Sequence, residues 1–203
     1  MRRCLLTVLL CAPLVLGVGL TKLPEEPKAE EPGPPVEVML TAESETIEAG
    51  EVPTFSVRLI NRSDETICLV GSLDGSDVGW RYPKLTAQRE GPVETAAIGR
   101  CGNMNNLREE DFVTLKPGQG FDPYDAELGF FGNHVLRQKV TEPGEYTFSL
   151  TYDTDEHDLG KWWGFMGPGE PTAEMKRRFA KVPKGTFVSN TVTITVTPQS
   201  EKP

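Results

Sequence analysis

Histidine is nearly missing from this chain of 203 residues: only His134 and His157 occur. Neither lies in an H-E-x-x-H spacing, and no G-x-S-x-G nucleophile motif is found. His157 sits among Asp155, Glu156 and Asp158, acids that give it no nucleophile to activate. The adjacent acids Glu109, Glu110 and Asp111 read as a solvated turn rather than a glycosidase pair. No catalytic residue is therefore assigned, and the chain is read as no enzyme. Basic residues are also short, 21 against 30 acidic, for a net charge of −9. That balance argues against nucleic acid and against anionic membrane surfaces, which would repel it. Long apolar runs are lacking after Leu20.

Cysteine is scarce too: Cys4, Cys11, Cys68 and Cys101. Two cysteines so far apart, with two histidines, make a poor metal site, and no metal or cofactor is expected. The N-terminus explains the other two. "MRRCLLTVLLCAPLVLGVGL" places Arg2 and Arg3 before an uncharged, mostly apolar stretch from Cys4 to Leu20, the pattern of an export signal over 1–20. The competing reading, a retained anchor, is short for a span and broken by Pro13 and two glycines. Cleavage near Gly19 or Leu20 removes Cys4, Cys11 and two arginines, so 21 basic residues become 19 against 30, net −11. In an oxidising compartment Cys68 and Cys101 are then expected to pair, closing a loop of roughly 34 residues worth about 3–4 kcal/mol.

"TKLPEEPKAEEPGPP" (21–35) is Pro- and Glu-rich and reads as a solvated tether; the tail 199–203 reads as disordered. Between them the chain alternates with period two. Val36, Val38 and Leu40 share a face; so do Phe55, Val57 and Leu59; so do Tyr146, Phe148, Leu150 and Tyr152; so do Val192, Ile194 and Val196. Each such strand buries one face in an antiparallel sheet. Shorter candidates are "TICLV", "GWRYPKLTA", "FVTL" and "HVLRQKV", separated by turn signals such as "NRSDE" and "KPGQG". Seven to nine such strands predict an all-β, immunoglobulin-like antiparallel β-sandwich over 36–198. Tyr146, after the turn "TEPGE", is placed for a tyrosine corner, and Trp80 with Tyr82 for a core aromatic pair.

"VEVMLTAESETIEAGEVPTFSVRLINRSDETICLVGSLDGSDVGWRYP", with "VTLKPGQGFDPY" and "TEPGEYTFSLTYDT", resembles uncharacterised exported bacterial proteins with one Ig-like domain. It is similar, more distantly, to the bacterial intracellular proteinase inhibitors, which share that fold. The resemblance implies a fold and, by analogy, an inhibitory activity for which no loop can be matched residue by residue.

Two segments depart from a plain sandwich. Asp74 and Asp77 stand in a Gly/Ser loop, read as an Asx-type turn ahead of a calcium site. The stretch 154–184 separates the last two strong strands and predicts a small helical insertion between them. Thr154 is expected to cap a first helix carrying Leu159, Trp162, Trp163 and Met166. Pro171 is expected in the first turn of a second, with Met175, Phe179 and Val182 as its apolar stripe and Pro183 as its stop. Trp162, Trp163 and Phe165 either pack this cap on the sheet or present a platform to a sugar or protein. "NRS" at Asn61 matches a glycosylation sequon and reads as a turn. The sequence expectation is a monomeric, exported, non-catalytic Ig-like binding or structural module of the envelope or extracellular space. Its partner is a protein or glycan, and its mature domain does not insert in a membrane.

Overall fold

The computed structural model describes residues 33–74, 79–92, 105–131, 139–164 and 169–200. Among the described residues most of the regular secondary structure is β-strand. The strands are β1 (Val36–Ala42), β2 (Thr46–Glu48), β3 (Phe55–Asn61), β4 (Ile67–Val70), β5 (Lys84–Glu90), β6 (Phe112–Leu115), β7 (Gly120–Phe121), β8 (Gly144–Asp153), β9 (Thr186–Val188) and β10 (Val192–Thr197). Two short helices, α1 (Leu159–Trp163) and α2 (Ala173–Phe179), lie between β8 and β9. The chain is all-β, with nearly every pairing antiparallel. The exception is β2, which runs parallel to β10.

The strands form three hydrogen-bonded groups: β1-β3-β7, then β2-β10-β8-β5 with β9 also on β8, then β4-β6. Period-two patterning sets their buried faces. In β8, Tyr146, Phe148, Leu150 and Tyr152 are buried while the residues between them are half-exposed. Val36, Val38 and Leu40 of β1 and Phe55, Val57 and Leu59 of β3 join them in one core cluster. Phe55 meets Phe148 edge-on at 5.0 Å between centroids. No described helix is long and apolar enough to cross a membrane.

Two tyrosines of β8 pin the core through their hydroxyls. Tyr152, wholly buried, donates to the Val70 carbonyl at 2.9 Å and accepts from the Val70 N–H at 3.3 Å, tying β8 to β4. Burial pushes its phenol well above the usual range, so it stays protonated. Tyr146 donates to the Glu142 carbonyl at 3.0 Å, four residues upstream.

Three sequence expectations are corrected. Trp80 is not a core residue: it is 63% exposed, because the strand starts only at Lys84, after the cis Tyr82–Pro83 bond. Instead the Arg81 N–H is fixed by Asp74 Oδ2 at 2.8 Å, which holds this segment as loop. The Cys68–Cys101 bridge is not formed either. Cys68 is a free thiol, buried in β4 with its Sγ 3.8 Å from Thr114 Oγ1, a residue on the neighbouring β6; Cys101 lies outside the described residues. The helix ends also shift. Thr154 caps nothing: its hydroxyl donates to the Pro183 and Gly185 carbonyls, closing the base of the insertion. Asp158 caps α1 by accepting from Gly160 N, and Thr172 caps α2 by accepting from Met175 N. Pro171 precedes that cap, and α2 ends at Phe179, before Pro183. The candidate strand at 134–140 falls mostly outside the described residues.

Candidate functional site

The segment 154–184 is built around Trp162. Its ring is fully buried, stacked on Tyr82 at 6.0 Å and edge-on to Phe179 of α2 at 5.2 Å. Its Nε1 donates to the Glu156 carbonyl at 3.1 Å, so the indole's one polar atom is satisfied inside. The apolar stripe is buried as its spacing predicts: Met175 and Phe179 of α2 and Val182 just beyond its end. Glu109 holds α2 from outside. Its carboxylate accepts from Thr172 Oγ1 at 2.5 Å and its carbonyl from Arg178 Nη1 at 2.9 Å.

The expected platform is thereby divided. Trp162 is core, Trp163 is half-buried with its carbonyl accepting from Leu107 N at 2.8 Å, and Phe165 lies outside the described residues. Among the described residues the most exposed large aromatic is Trp80, whose place in the alternating stretch predicts an interior position. Its neighbour Arg81 braces several loops at once. Arg81 Nη1 donates to the Asn105 carbonyl at 2.5 Å and Nη2 to the Trp162 carbonyl at 3.1 Å, while its backbone N–H is held by Asp74. Burial lowers the guanidinium pKa, opposed by the carboxylates of Asp74 and Asp111. The 126–131 segment joins the same end, where Phe131 N donates to the Ser72 carbonyl at 3.0 Å.

Gly71 makes that junction possible. A Cβ there would stand 2.4 Å from the Phe130 ring and 2.6 Å from the Pro123 carbonyl. The ring can tilt, but that carbonyl already accepts from Ser72 N at 2.7 Å and is fixed. Gly71→Ala is expected to cost about 1–3 kcal/mol, read as a lower urea midpoint with an unchanged slope. An unchanged midpoint would show that this junction gives way freely.

The other candidates fall to structural roles. Asp111 is buried and accepts from Arg108 N, Nε and Nη2, so the acidic run is a tied turn. Asp74 is buried against Arg81; Asp77 lies outside the described residues. His157 is exposed, 3.9 Å from Asp155, and His134 lies outside the described residues. Among the described residues no three metal-type side chains cluster. Asn61 is fully buried, and its amide donates to the Glu65 and Leu115 carbonyls at 2.7 and 3.0 Å. The sequon nitrogen is thus occupied in the folded protein, which closes it to modification.

Lys184 is the unusual charge of the segment. Its Nζ lies 3.4 Å from the Phe179 centroid and 4.7 Å from that of Trp162, and donates to the Glu156 carbonyl at 3.2 Å. No local sequence signal marks it, because two of its partners, Trp162 and Glu156, are more than twenty residues of chain away and the third, Phe179, meets it only through the turn that follows α2. Half burial pushes its pKa down to about 8, resisted by Glu156 and Asp155. The unfolded chain holds that proton to about pH 10.4, so between about 8 and 10 it binds more protons than the folded protein. This residue's contribution to stability therefore rises with pH across that window. Lys184→Met is expected to remove that rise in unfolding midpoint relative to wild type. Parallel pH profiles for the two proteins would contradict it.

Comparison with known proteins returns no matching family model, no matching curated protein and no matching solved structure.

Proposed function

We propose that this chain is an exported, immunoglobulin-like β-sandwich that acts as a non-catalytic binding module, with a helical insertion between its last strands. The fold reading is supported by the strand order β1-β3-β7 beside β2-β10-β8-β5, by the parallel β2–β10 pair, and by the Tyr146 hydroxyl reaching back to Glu142. Export rests on the Arg2–Leu20 sequence.

Binding rests on one observation: Trp80 stands 63% exposed on a segment that Arg81 fixes to three separate parts of the chain. A large amphipathic ring on a braced loop contacts a partner with little ordering cost. The partner class is a protein or a glycan, either of which stacks on indole. The test is a glycan array, a panel of envelope proteins and a protease panel, probed with wild type, Trp80→Ala and Trp163→Ala. The expected result is a ligand whose affinity falls at least about tenfold in Trp80→Ala while stability changes by less than about 0.5 kcal/mol. Binding that survives Trp80→Ala would remove this site. Tight capture of a protease would favour the inhibitor reading instead.

A further inference from the structure

We propose that the groove between β1 and the first half of β10 takes an extended, basic peptide segment of a partner protein as an added strand. β1 is paired on one side only. Glu43 N donates to the Thr54 carbonyl and Arg62 N to the Pro35 carbonyl, so Glu37, Met39 and Thr41 turn their backbone groups to β3. Those of Val38, Leu40 and Ala42 turn to the free edge. β10 is unevenly paired in the same way. Thr195 N donates to the Glu45 carbonyl, which puts the backbone groups of Thr191 and Thr193 on the β2 side of β10. The β2 ladder begins opposite Thr195 and stops short of them. Among the described residues no hydrogen bond reaches the backbone N–H or carbonyl of Ala42 or Thr193.

The molecule itself shows what this edge accepts. The Asn190 side-chain amide stands beside Leu40 as a peptide group of a neighbouring strand would. Its Oδ1 accepts from Leu40 N and its Nδ2 donates to the Leu40 carbonyl, both at 2.9 Å. Next to that clasp the groove opens to about 630 Å³, within the size range of ligand pockets. Thr41, Thr46, Thr191, Thr193 and Thr195 line it, all of them exposed. Two residues further along β1, about 6.7 Å on, Ala42 offers the next donor and acceptor. An extended backbone seated there continues the ladder that Asn190 starts, and its other edge turns to Thr193.

The charge of the rim selects the peptide. Glu45 lines the groove and Glu43 follows β1, both exposed and in no ion pair among the described residues. No lysine or arginine lines the groove. A segment with lysine or arginine at alternate positions is therefore attracted along one face, while an acidic strand is repelled. The net charge of −9 steers the same choice at longer range. A glycan fits less well, because no aromatic ring lines the groove for a sugar to stack on.

The test uses the full chain, labelled with nitrogen-15, and an acetylated, amidated eight-residue peptide of alternating threonine and lysine, beside its threonine–glutamate counterpart. At low salt the lysine peptide is expected to bind at least about tenfold tighter than the glutamate peptide, with the gap narrowing as salt rises. Glu45→Lys, a change at an exposed position, should weaken it about tenfold. Methylating alternate backbone nitrogens of the peptide keeps its charge, removes the donors of one edge, and should weaken it at least about tenfold. Amide exchange followed by NMR reads the position: the Ala42 and Thr193 N–H groups are expected to slow at least about tenfold on saturation with the lysine peptide. Equal affinity for the two peptides, or unchanged exchange at both amides, would overturn the proposal. So would slowing of the same amides as the chain alone is concentrated, because the occupant would then be a second copy. The groove shares no residue with Trp80, so this test and that of the exposed ring stand or fall separately.

Discussion

Trp162→Ala is expected to lower the free energy of unfolding by about 3–5 kcal/mol, against less than about 0.5 for Trp80→Ala. The two residues share a side chain and differ in surroundings. Trp162 is fully buried between Tyr82 and Phe179, with Lys184 on its ring and its Nε1 bonded to Glu156. Truncation removes the ring and leaves a cavity shared by α1, α2 and the segment before β5. It also strands the Glu156 carbonyl with Lys184 as its remaining donor. Trp162→Phe keeps most of the apolar volume but not the donor, and should lie between, at about 1–2 kcal/mol. Urea midpoints with tryptophan emission check all three. The blue-shifted share of the emission should disappear only with Trp162. Equal midpoints for Trp162→Ala and Trp80→Ala would mean that the insertion is not held by this ring.

The contrast between these tryptophans also marks how far the sequence could be read. Alternation located β1, β3, β8 and β10 because a strand's buried face repeats every second residue and needs no distant information. The same rule misplaced Trp80. "GWRYPKLTA" alternates well enough, but Asp74 holds Arg81 N–H outside any ladder, and that contact is visible only in three dimensions. Local spacing likewise found the buried stripe Met175, Phe179 and Val182, while the cap of α1 moved from Thr154 to Asp158, and Pro171, expected in the first turn of α2, precedes its cap Thr172. Cap chemistry is shared by Ser, Thr, Asp and Asn, so several neighbours compete and the tertiary fit decides. A cysteine count suggested a bridge, yet Cys68 faces Thr114 across the β4–β6 pair as a free thiol. Alternation also leaves the break between β9 and β10 unmarked. The two strands are split at Ser189–Asn190, where Ser189 Oγ accepts from Leu150 N and the Asn190 amide both accepts from and donates to the Leu40 backbone. Those bonds join residues 39 and 150 positions apart, beyond any local pattern. The candidate binding ring and the unusual amine were illegible for the same reason: exposure of Trp80 and burial of Lys184 are properties of the assembled loops.

Asn61 shows the same principle in a polar residue, and its aspartate variant carries the second large effect. Asn61 ends β3 with no exposed surface. Its Nδ2 donates to the Glu65 and Leu115 carbonyls, and its Oδ1 accepts from Ser63 N and Ser63 Oγ at 2.9 and 2.7 Å. Its backbone N–H and carbonyl pair with Gln119 and Gly118, so one residue joins β3, the turn to β4, the end of β6 and the turn before β7. Asn61→Asp keeps the shape and replaces the donor nitrogen by an oxygen that faces two carbonyls. Burial and those carbonyls disfavour its charged form, while Ser63 favours it through two bonds; the first pair of effects wins because nothing replaces the lost donors. The new carboxyl therefore titrates above its unfolded value of about 3.9. Below about pH 4 it is protonated in both states and can donate to one carbonyl, so the deficit against wild type should be about 1–2 kcal/mol. As pH rises past that point the unfolded chain loses the proton first. The folded state then binds more protons, and stability falls with pH until the folded group also ionises, with the deficit levelling at about 3–5 kcal/mol. Asn61→Ala, which carries no titrating group, should show a deficit of about 2–4 kcal/mol that does not change with pH. Denaturant unfolding of wild type and both variants at pH 4, 5.5 and 7 separates the outcomes. A flat profile for Asn61→Asp, or a loss below 1 kcal/mol at pH 7, would show that the four contacts of this amide are replaceable by solvent.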